Sequence, residues 1–231
     1  MMMGGPLFFI KMVNARRITD HYEIGEELSH GEFGRVFGVI DKKTGLEYAC
    51  KELFSGFTSQ GELLSLGLDH PNLVNVKGVY ENDLFFVMDK VDINLEEYMG
   101  FRNLNLPILT KFLFDIGKAM QYLTQRELVH MDIKLDNVGV SISEIGLPTF
   151  CLLDYGSLSK VGKNPYIPIF NGYISPEYKK NKLVLPQSAI YTLGIVLDEE
   201  VIPFVRVEQD QLKDFEKLKD FIYGSMIKHD Y

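Results

Sequence analysis

The sequence has few cysteines and no long apolar run, and each absence excludes a class of protein. Two cysteines, Cys50 and Cys151, occur in 231 residues, which argues against a disulfide framework and favours a reducing compartment. No apolar run approaches the roughly 18–20 residues of a membrane span. The apolar stretch near the amino terminus is too short and too poorly flanked for a signal peptide. We therefore expect an intracellular protein, in the cytoplasm or nucleus, with no membrane partner.

Positive charge is also in short supply. The chain has 24 Lys and Arg residues against 32 Asp and Glu residues, for a net charge of −8. This balance argues against direct nucleic-acid binding and mildly favours basic partners, although solubility alone explains it as well. The hydrophobic fraction of 46% and charged fraction of 24% are those of an ordinary globular chain. Its length suits one domain with a good core or two small lobes.

One polar cluster, within residues 128–156, organises the rest of the chain. Asp132, Lys134 and Asn137 occupy positions i, i+2 and i+5 of one loop, so a carboxylate, an ammonium and an amide can reach a common point. Asp154 follows an apolar run and precedes a glycine, as expected of a carboxylate at a strand end. One such aspartate alone is more often a turn cap. The ordered set, with a base, a cation and two oxygen ligands, suits Mg-assisted phosphoryl transfer.

This cluster closely resembles the catalytic loop and metal-binding motif of the protein kinase family. HMDIKLDN stands where the family has HRDxKxxN, and DYG stands for DFG. The resemblance implies a Ser/Thr kinase in which Asp132 orients and deprotonates the substrate hydroxyl and Lys134 steadies the γ-phosphate of ATP. Asn137 and Asp154 would hold Mg²⁺. It also implies a protein substrate, with the oligomeric state left open.

The fold implied by the resemblance is α+β, with a small β-rich N-lobe and a mostly helical, truncated C-lobe. Three strands are expected across residues 22–53 and two more across 73–90, the latter joined by an Asn-Asp turn. We expect residues 1–21 to be a loosely attached leader. Residues 22–91 would form the ATP-binding lobe and residues 92–231 the catalytic lobe.

The glycine-bearing turn between the first two strands resembles the kinase glycine-rich loop, with Ser29 in place of the first glycine. Glycines let backbone amides approach phosphate oxygens, but such turns are common and weak evidence alone. On the hinge strand, Met88 would be the gatekeeper or plain core filling, and the backbone of Asp89 and Val91 would meet adenine. The nucleotide site implied by the family consists of Leu28, Ser29, Gly31, Gly34, Val36, Ala49, Lys51, Met88, Asp89 and Val91.

Lys51 lies in an apolar strand and therefore needs a partner. It matches the family's VAIK lysine, and Glu62, at the start of a helical pattern, is the candidate partner. In the family such a pair orients the lysine onto the α- and β-phosphates and serves catalysis. Gly61 rather than Glu62 occupies the strict family position, as if one residue were lost between helix and strand. We predict an ion pair between Lys51 and Glu62.

Helical patterns follow the second pair of strands. Asn94 is a good amino-terminal cap for a short helix, and Pro107 lies near the start of a long amphipathic helix. The apolar residues of the long helix recur at steps of three and four: Ile108, Phe112, Ile116, Ala119 and Leu123. This helix is expected to deliver the chain into the loop that carries Asp132.

The chain after Gly156 also resembles the family. Residues 173–177, YISPE, resemble the Y-x-A-P-E end of a kinase activation segment, and residues 190–197 resemble the helix beneath the catalytic loop. One more amphipathic helix is predicted from Leu212, Phe215, Leu218, Phe221 and Ile222. The catalytic lobe is then expected to stop before the family's final helix, as in kinases carried by large DNA viruses.

Four positions depart from the family pattern. Met131 replaces an arginine that usually receives an activation-segment phosphate, and Ala189 replaces an aspartate that holds the catalytic-loop backbone. Gly139 replaces a bulky residue that floors the adenine pocket. Phe170 stands where a threonine usually contacts Asp132. None of the four removes a group that touches Mg²⁺ or the γ-phosphate.

These departures keep two alternatives open. One is a pseudokinase-like binding module, or a decoy acting on a partner kinase. The replacements at Met131 and Ala189, which alter the supports of the catalytic loop, favour this alternative. The complete catalytic set argues against it. The other is a small-molecule phosphotransferase, which shares H-x-D-x(4)-N. Against it, Lys134, the Gly31/Gly34 loop and Ser175-Pro176-Glu177 favour a protein substrate.

Overall fold

The structure is a computed structural model that describes residues 16–31, 33–56, 60–163 and 173–227. The chain divides into two compact units. The first comprises the chain up to Asp69 together with Val74–Val91, and the second comprises His70–Leu73 and the chain from Asp92 onward. A mainly antiparallel sheet in the first unit and a mostly helical second unit confirm the predicted α+β class.

The first unit is built on a five-stranded antiparallel sheet in the order β1-β2-β3-β5-β4. Its strands and one short helix have the following bounds: β1 Tyr22–His30, β2 Gly34–Asp41, β3 Glu47–Leu53, α1 Gln60–Leu64, β4 Val76–Tyr80 and β5 Phe85–Asp89. All five strands lie where the sequence predicted them.

The register of these strands separates a core face from a second face. On the core face the buried cluster consists of Ile18, Tyr22, Phe37, Val39, Cys50, Tyr80 and Val87. On the other face, Val36 pairs with Lys51, and Ala49 pairs with Met88. Because side chains alternate along a strand, these four predicted nucleotide-site residues share one face of the sheet.

The predicted leader needs a correction for its described part, residues 16–21, while residues 1–15 lie outside the described chain. A 3₁₀ turn at Ile18–Asp20 places Ile18, 2% exposed, in the core cluster. The amide of Ile18 donates to Glu81 Oε1 at 3.1 Å. Burying one isoleucine stabilises by about 1.5–3 kcal/mol, so this segment is attached rather than loose.

The turn between β4 and β5 confirms the predicted Asn-Asp turn. Glu81, Asn82 and Asp83 all have left-handed backbone, with φ of 50°, 56° and 68°. Asn and Asp tolerate this region better than most residues. The amide of Glu81 donates to the carbonyl of Arg16 at 3.1 Å, so the turn helps to hold the amino-terminal segment.

The second unit contains the longer helices and several short strands. Its elements are β6 Ile93–Asn94, α2 Leu95–Phe101, β7 Leu104–Asn105, α3 Leu106–Thr124, β8 Leu128–His130, β9 Val138–Ile142, β10 Pro148–Leu152, β11 Leu158–Lys160, α4 Pro176–Asn181, α5 Pro186–Val196, β12 Val205–Arg206 and α6 Leu212–Phe221. The strands pair as β10-β9-β6, β11-β8 and β12-β7. None of the helices in the described stretches has the length and apolarity needed to cross a bilayer.

Helices α2 and α3 begin where their caps predict. Asn94 caps α2 through a reciprocal bond pair with Glu97, at 2.8 and 2.9 Å. In α3 the buried apolar face is Leu109, Phe112, Ile116, Ala119 and Leu123. Ile108 is only half-buried, so the predicted stripe was wrong at its first position. Ile108 lies four residues before Phe112 and Leu109 lies three residues before it, so both fit a 3.6-residue period. Leu109 is the one that is buried.

The last helix also needs a correction. Phe215 and Ile222 are buried as predicted, but Leu212 is 47% exposed and Phe221 is 59% exposed. Helical periodicity identified the helix and overestimated the width of its buried face.

Candidate functional site

The predicted ion pair of Lys51 and Glu62 is present in the first unit. Lys51 Nζ lies 2.9 Å from Glu62 Oε1, with 6% of Lys51 and 3% of Glu62 exposed. Lys51 is central in β3, between Val36 of β2 and Phe86 of β5. Glu62 lies in the first turn of α1, and Gly61 beside it cannot supply a carboxylate. Removing one partner would leave a buried charge uncompensated, which typically costs about 3–5 kcal/mol.

The face of the sheet that carries Lys51 also carries three other predicted nucleotide contacts, Val36, Ala49 and Met88. Ala49 is buried, whereas Val36, Met88 and Val91 are half-buried. The half-buried Asp89 forms an ion pair with Lys77, 2.9 Å apart. The arrangement leaves a small side chain at 49 flanked by longer apolar ones. Their predicted contacts with adenine stay predictions.

The glycine-bearing hairpin uses its two glycines differently. A Cβ at Gly34 would lie 2.1 Å from the carbonyl oxygen of Glu52, so packing against β3 already requires glycine there. At Gly31 the nearest atom would be 3.6 Å away, an ordinary contact. Leu28 and Ser29 are exposed near the end of β1. Gly34 is therefore explained by packing, and the predicted contacts of Gly31 and Gly34 with phosphate stay predictions.

In the second unit, the loop between β8 and β9 draws three predicted residues together. The amide nitrogen of Asn137 donates to the carbonyl oxygen of Asp132 at 2.9 Å and to its carboxylate at 2.8 Å. Lys134 Nζ lies 3.8 Å from Asp132 Oδ2 and 3.6 Å from Asp136 Oδ2. The side chains of Asp132 and Lys134 are 38% and 41% exposed, so a substrate group can reach them.

His130 fastens this loop, and the sequence reasoning assigned it no role. It is 1% exposed, its Nε2 lies 2.8 Å from the carbonyl oxygen of Leu153, and its Nδ1 lies 3.4 Å from the amide of Asp132. A carbonyl can only accept, so Nε2 carries the proton and Nδ1 accepts. The imidazole thus ties the chain beside Asp132 to the chain beside Asp154.

Asp154 lies just beyond β10 and has left-handed backbone, with φ of 48°. Its carboxylate accepts from the amide of Gly156 at 2.9 Å. The amide of Leu153 donates to the carbonyl of Asn137 at 2.8 Å. Asn137 and Asp154 are therefore held at the same end of the β9–β10 hairpin, and the positive φ of Asp154 is one that aspartate tolerates better than most residues.

The donor set at this end of the hairpin fits Mg²⁺. Because the amide nitrogen of Asn137 is engaged by Asp132, the oxygen of that amide is the atom a cation would use. With the carboxylate of Asp154 it makes two hard oxygen donors, the kind Mg²⁺ takes while keeping several waters and substrate oxygens as further ligands. Asn137 and Asp154 are the residues that would hold it.

Two buried polar residues that sequence reasoning missed support β10. Asn72 donates to the carbonyl of Phe150 at 2.8 Å and accepts from the amide of Leu152 at 3.0 Å. Asp115 of α3 accepts from the amide of Phe150 at 3.0 Å and forms an ion pair with Lys111. The signal for Asp115 was a carboxylate in the apolar stripe of an amphipathic helix. Together these residues fix the strand that ends at Asp154.

The departures from the family pattern have apolar surroundings where the structure describes them. Met131 is 6% exposed and Ala189 is 3% exposed, so both belong to the core. Gly139 pairs with Cys151 in the β9–β10 hairpin. Tyr155 is buried with its ring 6.3 Å from His130, and burial raises the pKa of its hydroxyl. Phe170 lies outside the described residues.

Comparison with known proteins agrees with this geometry. The model of the protein kinase domain family matches residues 22–225. Cyclin-dependent kinase F-4 of Oryza sativa subsp. japonica is 31% identical over 187 residues, which cover 76% of this chain and 39% of that protein. An Aurora kinase of Candida glabrata is 25% identical over 226 residues, which cover 90% of this chain and 60% of that protein. The meiosis-specific serine/threonine-protein kinase mek1 of Schizosaccharomyces pombe is 28% identical over 169 residues, which cover 67% of this chain and 38% of that protein. The chain thus spans 38–60% of the length of these relatives.

Proposed function

The chain belongs to the protein kinase domain family, and we propose that it transfers the γ-phosphate of ATP to serine or threonine hydroxyls of a protein substrate, with Mg²⁺. The observation that carries the proposal is the hydrogen-bonded cluster of Asp132, Asn137 and the chain that precedes Asp154. This cluster brings a base and two oxygen donors into one part of the second unit.

The proposal gives each residue a role that its contacts support. Asp132, whose carboxylate accepts from the amide of Asn137, would accept the proton of a substrate hydroxyl. Lys134 adds a positive charge beside it, where charge develops during transfer. Mg²⁺ held by Asn137 and Asp154 would neutralise phosphate charge. In the first unit, Lys51 is held by Glu62 and offers its ammonium to the nucleotide phosphates.

The supports of the loop favour an enzyme over a binding module. Met131 and Ala189 remove the two polar supports that the family usually has, and both are replaced by buried apolar packing. His130 and Asn137 still hold the loop through hydrogen bonds of 2.8–2.9 Å. A loop held in this way around a carboxylate that is 38% exposed favours retained catalysis over a binding role alone.

Serine or threonine in a protein is the proposed acceptor. Lys134, two residues after Asp132, is the pattern of Ser/Thr kinases, and one relative is named a serine/threonine-protein kinase. The proposed setting is intracellular, in keeping with the two buried cysteines at positions 50 and 151, neither of which is in a disulfide.

The test is transfer of labelled phosphate from ATP to a generic basic protein with Mg²⁺, wild type beside Asp132→Asn. We expect incorporation into serine or threonine by the wild type, and a loss of at least about a hundredfold in the variant because the general base is removed. Label on a small molecule alone would favour the small-molecule phosphotransferase. No transfer by a folded wild type, with retained binding to a partner kinase, would favour the decoy.

A further inference from the structure

A basic patch lies on the second unit of a chain that is acidic overall. It consists of six exposed cations on three separate stretches: Arg126, Lys160, Lys163, Lys179, Lys180 and Lys182. The stretches, residues 126–127, 160–163 and 179–184, hold one carboxylate, Glu127, so six positive charges against one negative charge leave a local balance of +5. The whole chain has a net charge of −8. The patch is therefore opposite in sign to the rest of the molecule.

Backbone hydrogen bonds bring the three stretches of the basic patch side by side. The amide of Val161 donates to the carbonyl of Glu127 at 2.8 Å. The amide of Gly162 donates to the carbonyl of Val184 at 2.8 Å, and the amide of Val184 donates to the carbonyl of Lys163 at 2.9 Å. Cations that are far apart in the sequence are thus gathered into one region by the fold.

The cations of the basic patch lack internal counterions. None of the six forms an ion pair with any residue that the structure describes. Elsewhere in the second unit exposed lysines are paired, as Lys217 is with Asp214 at 3.0 Å. The dipole of α4 favours the lysines at its carboxyl end, but the three cations of the other two stretches lie on other elements. A ligand that supplies carboxylates would relieve the repulsion within this cluster.

Aromatic rings hold two of the six cations in place. The guanidinium carbon of Arg126 lies 3.5 Å from the centroid of the Tyr122 ring, and Arg126 also donates to the carbonyl of Tyr122 at 3.3 Å. Nζ of Lys182 lies 5.9 Å from the centroid of the Tyr178 ring. An arginine has five N–H donors, so a stacked guanidinium still has donors for a carboxylate. Cations that are already ordered lose less entropy when a ligand binds.

The basic patch lies within reach of Asp132. Lys160 of β11 pairs with Leu128 of β8, and Leu128 precedes Asp132 by four residues. Consecutive Cα atoms are about 3.8 Å apart, so these four steps span at most about 15 Å. Paired Cα atoms on neighbouring strands are about 5 Å apart, which puts the Cα atoms of Lys160 and Asp132 within about 20 Å of each other. An extended peptide spans that distance in roughly six residues.

We infer that the basic patch binds an acidic segment of the protein substrate, with Asp and Glu residues within about six positions of the hydroxyl that receives phosphate. The inference rests on the proposed function and names the chemistry of its substrate, which is the opposite of what the net charge favours. Six cations spread over three stretches suit several carboxylates along a segment better than one phosphate. The negative charge of the remaining surface would repel a long polyanion such as a nucleic acid, whereas a short acidic segment contacts the patch alone.

The test uses two peptides that each carry one serine, flanked within six residues by glutamates in the first and by glutamines in the second. For the wild type we expect KM to be about tenfold lower for the glutamate peptide, the combined effect of several exposed ion pairs. This difference should shrink as the salt concentration rises. Combining Lys163→Gln, Lys180→Gln and Lys182→Gln should raise KM for the glutamate peptide to near that for the glutamine peptide, with kcat and KM for ATP unchanged.

The matched control combines Lys213→Gln, Lys217→Gln and Lys219→Gln, all on α6, and should keep the wild-type preference. All proteins are treated with phosphatase first, so that no phosphate on the chain itself occupies the basic patch. Fluorescence anisotropy of the same peptides with alanine in place of serine measures binding without transfer. A folded wild type that prefers the glutamate peptide but transfers no phosphate would sink the proposed function alone. An active wild type with equal KM values for the two peptides would sink the inference alone.

Three further outcomes would overturn the inference. A patch variant that keeps the full preference for the glutamate peptide would mean that another surface reads the charge. Tighter binding only when one residue of the peptide is a phosphoserine would make the patch a phosphate site. Displacement of the glutamate peptide by single-stranded DNA of equal charge, at lower concentration than by unlabelled peptide, would assign the patch to nucleic acid. If the patch variant does not fold, the comparison of the two peptides on the wild type still tests the inference.

Discussion

Two lysine–carboxylate pairs, one in each unit, show how differently the same chemistry is used. Lys51 and Glu62 lie 2.9 Å apart with their side chains 7% and 4% exposed. Lys134 and Asp132 lie 3.8 Å apart with theirs 41% and 38% exposed. A buried pair is costly to break, whereas solvent screens an exposed pair until little interaction energy remains. The first pair is therefore part of the fold as well as of the proposed site, and the second is free to respond to a substrate.

Breaking the buried pair should have the largest effect on stability. Lys51→Met leaves Glu62 buried without its cation, and we expect a loss of about 3–5 kcal/mol in the free energy of unfolding, measured by denaturant unfolding. Glu62→Gln should depress turnover as Lys51→Met does, and the double variant should lose little more, because the residues act as a unit. Fully additive losses of turnover would show that the pairing does not matter for function.

Removing the exposed lysine should produce the opposite profile. Lys134→Met is expected to change the free energy of unfolding by no more than about 1 kcal/mol, since the pair is solvent-screened. It should reduce kcat by about 10²-fold, the typical effect of removing one group that stabilises developing charge. Lys217, which is exposed on α6 and paired with Asp214 at 3.0 Å, supplies the matched control. Lys217→Met should leave the free energy of unfolding and kcat at their wild-type values. A loss of stability in Lys134→Met as large as that in Lys51→Met would contradict the claim that the exposed pair contributes little to the fold.

The exposed pair needs its loop held by other means, and we predict that phosphorylation is not one of them. Met131 is apolar and buried, where an arginine could bind phosphate bidentately. After Asp154 the chain is held by pairing of Leu158 with His130 and of Lys160 with Leu128, and by a bond of 2.8 Å from the amide of Val161 to the carbonyl of Glu127.

Phosphatase treatment measures this independence. The acceptors between Gly156 and Ser175 are Ser157, Ser159, Tyr166 and Tyr173; Tyr166 lies outside the described chain, and Ser159 is 6% exposed. From the sequence we also predict that the segment is held by packing of Tyr166, Ile167, Ile169 and Phe170, which lie outside the described chain. A rate loss of more than about tenfold, roughly 1.4 kcal/mol of barrier, would mean that a phosphate orders the segment through another basic residue such as Lys160 or Lys163.

The phenol of Tyr173 donates to the carboxylate of Glu200, and breaking this contact is expected to have the smallest effect on stability. The hydrogen bond raises the pKa of Tyr173 to about 12, above its ordinary value of 10.0. Between these values the unfolded chain releases the phenolic proton and the folded chain keeps it, so the free energy of unfolding falls as pH rises from 10 to 12. Tyr173→Phe should remove this contribution to the slope of stability against pH. An identical slope in the variant would show that the contact does not hold the proton.

Much of this organisation could be predicted from the sequence, because it depends on local patterns. Alternating strands, the Asn94 cap and the spacing of Asp132 to Asn137 follow from residues close together in the chain. The apolar strand around Lys51 predicted that the lysine has a partner, and Glu62 was the candidate although Gly61 occupies the strict family position.

The misses share a physical cause, which is dependence on contacts distant in sequence. Ile18 is buried because residues from five strands complete a cluster around it. Asn72 bonds to Phe150 across 78 positions, and Asp115 bonds to the same residue across 35. Conversely, Phe221 fits the helical stripe yet is 59% exposed, since a period alone does not show which neighbours cover it.

The most direct test of the account is Mg-dependent phosphate transfer by wild type and Asp154→Ala, assayed side by side on the same protein acceptor. Asp154 lies at the end of β10, beside the backbone bond that joins Leu153 to Asn137, and its carboxylate is one of the two proposed metal ligands. The account predicts transfer by the wild type that rises with Mg²⁺ and none detectable by the variant, with the variant as stable as the wild type to within about 1 kcal/mol. Equal transfer by the two proteins would contradict it.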